Sequence, residues 1–255
     1  MEKRNASWYV SRRGELLAEQ FLLDLHPDSV VASPQDGHPF DSLYLMNPDG
    51  TNQRRLTTDK DAGLCAWSPD GSKLAFSSNR DGKYCIYVVN RDGSNIHRLT
   101  EGPSEDCPNW SADGKQIAYE GMTDGIWHVH VVNADGTGRR SLTEGKSHAR
   151  WPAWSPDGDV IAYVGYGQGA DQGIAEIYMM QPDGKMATRR TNDHTENIDP
   201  AWTTDGRELY FYSKRNGHFE IYAFDLSSRK QRLIVAETQD TREVMTLGRS
   251  HFHAD

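Results

Sequence analysis

Eight side chains have the chemistry of a binding or reacting site: Asp61, Asp106, His148, Arg150, His194, Glu196, Asp199 and His218. Imidazoles beside carboxylates could hold a divalent metal such as zinc, manganese or iron, with His148 and His194 as the first-choice ligands. The same set could supply a general base and a charge clamp, Arg150 gripping a carboxylate or the acid group of a uronic sugar with both prongs of its guanidinium. The plainer alternative is a solvated polar rim that contacts a peptide or a sugar. No dense local metal spacing such as His-x-x-x-His occurs. These groups therefore form a site only if separate segments converge.

Those segments are set by a repeat. Trp67, Trp110, Trp154 and Trp202 lie 43, 44 and 48 residues apart, each followed by Ser-x-Asp-Gly or, after Trp202, Thr-x-Asp-Gly. An apolar run follows each Asp-Gly pair, as in Leu74-Ala75-Phe76 and Ile161-Ala162-Tyr163. A second turn, a third apolar run such as Ile86-Tyr87-Val88-Val89, a third turn, and a closing Arg98-Leu99-Thr100 or Ser141-Leu142-Thr143 complete the unit. Short β-branched and aromatic runs bounded by Asp-Gly and Asn-Gly read as hairpins, because glycine accepts the positive φ of such turns. Three turns make four strands, and a period of about 40–45 residues suits one propeller blade. The recurring Asp-Gly pairs read as turn chemistry rather than calcium ligands, and the tryptophans as packing between blades.

The composite of Trp-Ser-Pro-Asp-Gly, an apolar run ending in Ser-Asn-Arg-Asp-Gly, Ile-Tyr-Val-Val-Asn and Arg-Leu-Thr resembles the TolB-type propeller repeat over about four fifths of the chain. Blade four departs through the glycine-rich stretch 165–173, and blade three carries His130 where the strand-three tyrosine is usual. The resemblance implies the fold and a tendency to bind peptides or proteins across the mouth of the ring. Similar propellers also form halves of prolyl-oligopeptidase-like enzymes and some polysaccharide lyases.

The expected architecture is all-β: one propeller domain over residues 1–255 with four-stranded blades at about 25–58, 61–100, 105–143, 150–191 and 197–235. A sixth, closing blade would be shared by residues 1–24 and 236–255, with strand candidates at 7–11 and 243–247. A five-bladed ring is the alternative, since 15–25 also fits an amphipathic helix carrying Leu17, Phe21, Leu22 and Leu25 on one side. The candidate site residues fall in loops from strand four to the next blade and between strands two and three. In a propeller both sets ring one mouth of the channel, and function on a rigid scaffold sits in such variable loops.

A formal net charge of −9 argues against a nucleic-acid groove or an anionic membrane surface. No stretch is apolar and long enough to span a membrane or to serve as a signal peptide, so the chain as written reads as cytoplasmic; as part of a longer protein it would suit the periplasm or secretion. Cys65, Cys85 and Cys107 are odd in number and fall on expected strands, which favours buried free thiols. No Gly-x-Ser-x-Gly elbow or phosphate-binding glycine fingerprint is present. The leading expectation is a TolB-like binding module for a protein, peptide or glycan at the channel mouth. The alternative is a metal-assisted lyase or hydrolase acting on an acidic polysaccharide or peptide at the same place.

Overall fold

The computed structural model describes residues 8–9, 29–33, 42–46, 51–52, 54–57, 62–167 and 173–235. Every element among them is a strand, and the strands form five four-stranded sheets in chain order. The first sheet holds β1 (Trp8–Tyr9), β2 (Ser29–Ser33), β3 (Ser42–Met46) and β4 (Arg54–Arg55). The second holds β5 (Ala62–Trp67), β6 (Lys73–Ser78), β7 (Cys85–Asn90) and β8 (His97–Arg98). The third holds β9 (Glu105–Trp110), β10 (Gln116–Thr123), β11 (Ile126–Asn133) and β12 (Arg140–Ser141). The fourth holds β13 (Ala149–Trp154), β14 (Ile161–Tyr166), β15 (Ala175–Met180) and β16 (Thr188–Arg189). The fifth holds β17 (Asn197–Trp202), β18 (Glu208–Ser213), β19 (Glu220–Asp225) and β20 (Gln231–Val235).

Each sheet runs in sequence order and is antiparallel throughout, except that β1 pairs in parallel with β2, Trp8 opposite Val31. Trp8–Tyr9 is the one described part of the termini assigned to a closing blade, and it lies in the first sheet. The strand candidate 243–247 and the helix alternative 15–25 lie outside the described residues. Among the described residues no helix is long and apolar enough to cross a membrane.

The repeat residues do the same work in successive sheets. The hydroxyl of the residue after each tryptophan donates to the turn aspartate two residues on: Ser68 to Asp70 at 2.6 Å, Ser111 to Asp113 at 2.8 Å, Thr203 to Asp205 at 2.8 Å. The same hydroxyl accepts the N–H five residues ahead, as with Lys73 and Gln116, both at 2.9 Å. The carboxylate is thus spent on locking a hairpin, which supports the turn reading over calcium. The threonine that closes each unit accepts the strand-three N–H fourteen residues earlier: Leu43 to Thr57, Ile86 to Thr100, Val129 to Thr143 and Ile177 to Thr191, at 2.9–3.0 Å. A two-residue outer strand cannot satisfy that donor by ladder pairing, so the side chain does.

The core lies in layers between neighbouring sheets. Leu43 and Leu45 pack with Leu74 and Phe76, Ala75 and Val88 with Trp110 and Ile117, Ala118 and Val129 with Trp154 and Ile161, Ile177 and Met179 with Leu209 and Phe211. The tryptophans staple one sheet to the one before: Trp110 Nε1 donates to the Ala66 carbonyl at 3.1 Å and Trp202 Nε1 to the Ala153 carbonyl at 3.0 Å. All three cysteines are free, Cys85 and Cys107 buried and Cys65 half-buried.

Candidate functional site

In the second to fifth sheets the first strand is the inner one, and these strands lie side by side: β5 against β9, β9 against β13, β13 against β17. Each is irregular at the same place. The register against the second strand shifts between Ala62 and Cys65 in β5, across Cys107 in β9, between Arg150 and Ala153, and between Ile198 and Ala201. Cys107, Trp151 and Asp199, each three residues before a blade tryptophan, carry φ of 53°, 51° and 55°. A bulge with a left-handed residue bends the strand and re-aims side chains, at a cost on the order of 1 kcal/mol each. The four positions just before those residues, or their equivalent in β5, are Gly63, Asp106, Arg150 and Ile198. Ser77 lies against Gly63, and opposite the other three on the second strands stand Glu120, Val164 and Tyr212.

Glu120 is fully buried and reaches across to the next sheet. Its carboxylate accepts both prongs of Arg150, Nη2 at 2.6 Å and Nε at 3.2 Å, and the Trp151 N–H at 3.0 Å. The guanidinium is stacked between two indoles, 4.6 Å from the Trp127 ring and 4.5 Å from that of Trp151. A charged pair taken out of water this far needs such complete hydrogen bonding to persist. Burial pushes the Glu120 carboxyl up, and Arg150 opposes the rise.

Trp127 arrives there because the hairpin of the third sheet is paired to its tip. Asp124 (φ 52°) and Gly125 (φ 79°) form a two-residue turn with Thr123 opposite Ile126. Two positive φ values in succession match the tight turn whose twist suits a hairpin. In the second and fifth sheets the corresponding residues are Arg80 and Arg215, whose guanidinium groups fold back over Tyr87 and Tyr222 at 4.8 and 3.7 Å. Thr123 cannot do this, and the third hairpin instead runs as two paired eight-residue strands. The Trp127 N–H donates to Nδ1 of His148 at 3.1 Å, which sets the proton of the neutral ring on Nε2. His148 meets Tyr166 edge-on at 5.9 Å. Burial holds its pKa below the usual imidazole range, and the charge of Arg150 adds to this.

On the other side of the pair the groups are acidic. Asp106 Oδ1 accepts the Cys107 N–H at 2.8 Å, and burial raises this carboxyl, with the Ser77 hydroxyl beside it working the other way. The Cys107 thiol is pushed well up by burial and by the charges of Glu120, Asp106 and Asp199, and stays protonated. Asp199 is exposed at the residue level; desolvation around its carboxyl, with the charge of Glu120 adding, pushes that carboxyl up. Burial also raises the Tyr212 hydroxyl, and Asp199 adds to it.

The sequence matches the family model of the TolB beta propeller domain over residues 26–172 and 148–250. The chain belongs to the TolB β-propeller family. A Tol-Pal system protein TolB from Ruthia magnifica is 31% identical over 81 residues, which is 31% of this chain and 18% of that protein. The crystal structure of TolB from Acinetobacter baumannii superimposes with a TM-score of 0.68 at 18% identity, covering 79% of this chain and 51% of the other. An oligogalacturonate lyase in complex with manganese gives a TM-score of 0.58 at 15% identity, covering 75% of this chain and 58% of the lyase. These structural likenesses establish the shared TolB-type fold.

Within this TolB-family propeller one group of metal-ligand type comes together among the described residues: Asp106, Cys107 and Glu120, their ligand atoms within 4.8 Å of one another. Neither His148 nor His194 belongs to it. The trio suits a divalent metal poorly, because Glu120 is already held by both prongs of Arg150, whose positive charge opposes a bound cation.

The expected site residues divide into two sets. Asp106, His148, Arg150 and Asp199 belong to the network just described. Asp106, Arg150 and Asp199 lie inside β9, β13 and β17 rather than in the connecting loops, because pairing already begins at Glu105–Gly121, Ala149–Gly165 and Asn197–Ser213. The remainder gather at the fifth sheet. The His194 N–H donates to Glu176 at 3.2 Å, Glu196 pairs with Lys214 at 3.6 Å, and His218 Nε2 lies 3.4 Å from Glu220. Glu196 still reaches the first set electrostatically, through Tyr166. Asp61 lies outside the described residues. Sequence reading missed Glu120, Trp127, Trp151, Tyr166 and Tyr212. Aligning the units on their tryptophans would have exposed Glu120, a carboxylate where the neighbouring units carry Ser77, Val164 and Tyr212.

Proposed function

We propose that this propeller is a binding module that takes a peptide segment of a partner protein at the mouth formed by the inner strands. The observation that carries the reading is the aromatic and charged floor at Arg150. Its guanidinium is fixed by Glu120, stacked on Trp127 and Trp151, and bordered by Tyr166 and His148. Rigid aromatic and arginine groups in partly desolvated surroundings are what interface anchors are made of. The name of the Ruthia magnifica relative, a Tol-Pal system protein, agrees with a partner protein.

The enzymatic alternative, a metal-assisted lyase or hydrolase on an acidic polysaccharide or peptide, has less behind it. Arg150 is no open clamp for a substrate carboxylate, since both prongs are taken by Glu120.

The test is selection of peptides from a random display library on the purified protein, followed by calorimetry. One-to-one binding that weakens by roughly tenfold or more in Trp127→Ala supports the reading. Failure to select any peptide, or binding unmoved by that change, sinks it.

A further inference from the structure

Beyond Gly121 and His130 the two strands of the third hairpin pair only with each other, since β9 ends opposite Gly121 and β12 opposite His130. Residues 122–127 are thus a two-stranded ribbon closed by the Asp124-Gly125 turn. Such a ribbon is marginally stable by itself. On one side the Met122 N–H donates to the Ser104 carbonyl at 2.9 Å. Of residues 123–127, Trp127 alone hydrogen-bonds to another segment among the described residues, its N–H donating to His148 Nδ1 at 3.1 Å. The outer edge of β11 leads up to this contact. Val131 pairs with Arg140, the Val129 N–H donates to the Thr143 hydroxyl at 3.0 Å, and the Trp127 N–H donates to the imidazole. Thr143 is a repeat residue, matched by Thr57, Thr100 and Thr191. His148 is particular to its unit: six residues before the neighbouring blade tryptophans stand Ser104 and Glu196. Two residues after His148 the same segment supplies Arg150. One short stretch therefore grips both the backbone of Trp127, through His148, and its ring, through Arg150. The imidazole is half-buried and edge-on to Tyr166, whose N–H donates to the His148 carbonyl at 3.0 Å.

Resting on the peptide-binding reading, we infer that His148 is a positioning residue of the mouth: its Nδ1 ties down the Trp127 backbone and so holds the indole on Arg150, where the peptide is met. A neutral imidazole accepts at one nitrogen, whereas the imidazolium has two donors and no acceptor. Protonation of His148 therefore breaks the tie and sets N–H against N–H. The charged and titratable groups around the ring are Arg150 of β13, His128 of β11 and Tyr166 of β14, while Glu144 acts on His128. Burial, then Arg150 and His128, disfavour a positive charge on the tied ring. The tied state takes up a proton less readily than a released ring of ordinary pKa, about 6.5. Affinity is accordingly full above that value and falls as the pH drops below it.

The experiment measures the tightest display-selected peptide on the full chain by calorimetry, at about pH 7.5 and about pH 5, either side of the ordinary imidazole pKa. The parent is expected to bind roughly threefold or more weakly at the lower pH. His148→Ala is expected to bind roughly tenfold more weakly at the higher pH, with no further loss in acid. His148→Asn offers a carbonyl oxygen in place of Nδ1 and does not titrate. It is expected to regain most of what the alanine loses and to bind equally at both pH values. Equal binding by the parent and His148→Ala, an asparagine no better than alanine, or an acid loss that persists in His148→Asn would overturn the inference. Peptide binding, which is tested by Trp127→Ala, would then still stand. Binding lost in EDTA and restored by zinc or manganese would overturn it in favour of a metal on His148. Heteronuclear NMR of the chain without peptide decides the tie separately. The Trp127 amide proton should move upfield in step with protonation of the His148 ring. An amide that ignores that titration would overturn the inference whether or not any peptide is selected.

Discussion

Two junctions between neighbouring sheets, built on the same backbone geometry, are filled in opposite ways. Between the third and fourth sheets Glu120 reaches from β10 to Arg150 and Trp151 of β13, a buried ion pair with its hydrogen bonds met. Between the fourth and fifth sheets the equivalent positions are Val164 of β14 and Ile198 of β17, which share one buried apolar cluster. The apolar junction shows that the fold has no need of charge at this level. A buried pair is weak evidence for stability and is often replaceable by apolar residues of similar size. The polar junction therefore carries a feature that the fold does not require, and under the proposed function it is where the ligand is held.

The largest expected effect sharpens this contrast. Glu120→Ala leaves Arg150 buried without its partner and should cost about 3–5 kcal/mol in urea unfolding. Changing Glu120 and Arg150 together to leucine should recover much of that loss while abolishing peptide binding. A single change no worse than the double would show that the pair does not act as a unit. At the apolar junction Val164→Ala removes only buried methyl groups and should cost about 2 kcal/mol, with peptide binding unchanged. An equal loss of binding there would break the comparison, because both junctions would then shape the site.

Acid sensitivity is expected to come from the third sheet. His130 stacks on Tyr119 at 5.4 Å where the second, fourth and fifth sheets carry Tyr87, Tyr178 and Tyr222. Burial, with the charge of Arg139, lowers its pKa from 6.5 to about 4. The unfolded chain then binds the proton first as pH falls, so stability is lost progressively from about pH 6.5 towards pH 4. His130→Tyr should flatten that part of the stability–pH curve; an unchanged slope would assign the sensitivity elsewhere. The smallest effect has the opposite sign. Asp199 has its carboxyl raised from 3.8 to about 6, so the folded state binds its proton first and stability declines as pH rises across that interval. Water reaching this group screens part of the effect. Thermal unfolding of Asp199→Asn should show a smaller decline between those values than the parent, and an identical decline would rule out Asp199 as its source.

Much of this was open to reading in the chain itself. The tryptophan spacing, the Ser-x-Asp and Asp-Gly turns and the closing threonines act through contacts at constant offsets, so each unit announces them. Asp106, Arg150 and Asp199 were legible as odd residues in otherwise repeating segments. Their place was not: they were expected in loops and lie on the inner strands, because ladder pairing runs past the last turn signal. Glu120 was hidden for a related reason. It follows Ile117-Ala118-Tyr119 in a strand whose register makes it one more buried position, and nothing local marks it as the partner of a residue thirty places on.

The sequence by itself determined the four-stranded unit, its turns, its interlocking tryptophans and the all-β class, since periodicity and turn chemistry are local and repeat. Only the tertiary structure decided which charges meet. Neighbouring inner strands bring Glu120 to Arg150 and leave Asp199 unanswered, and those pairings depend on bulges and on the packing of one sheet against the next, where burial in a low-dielectric interior gives each charge its weight.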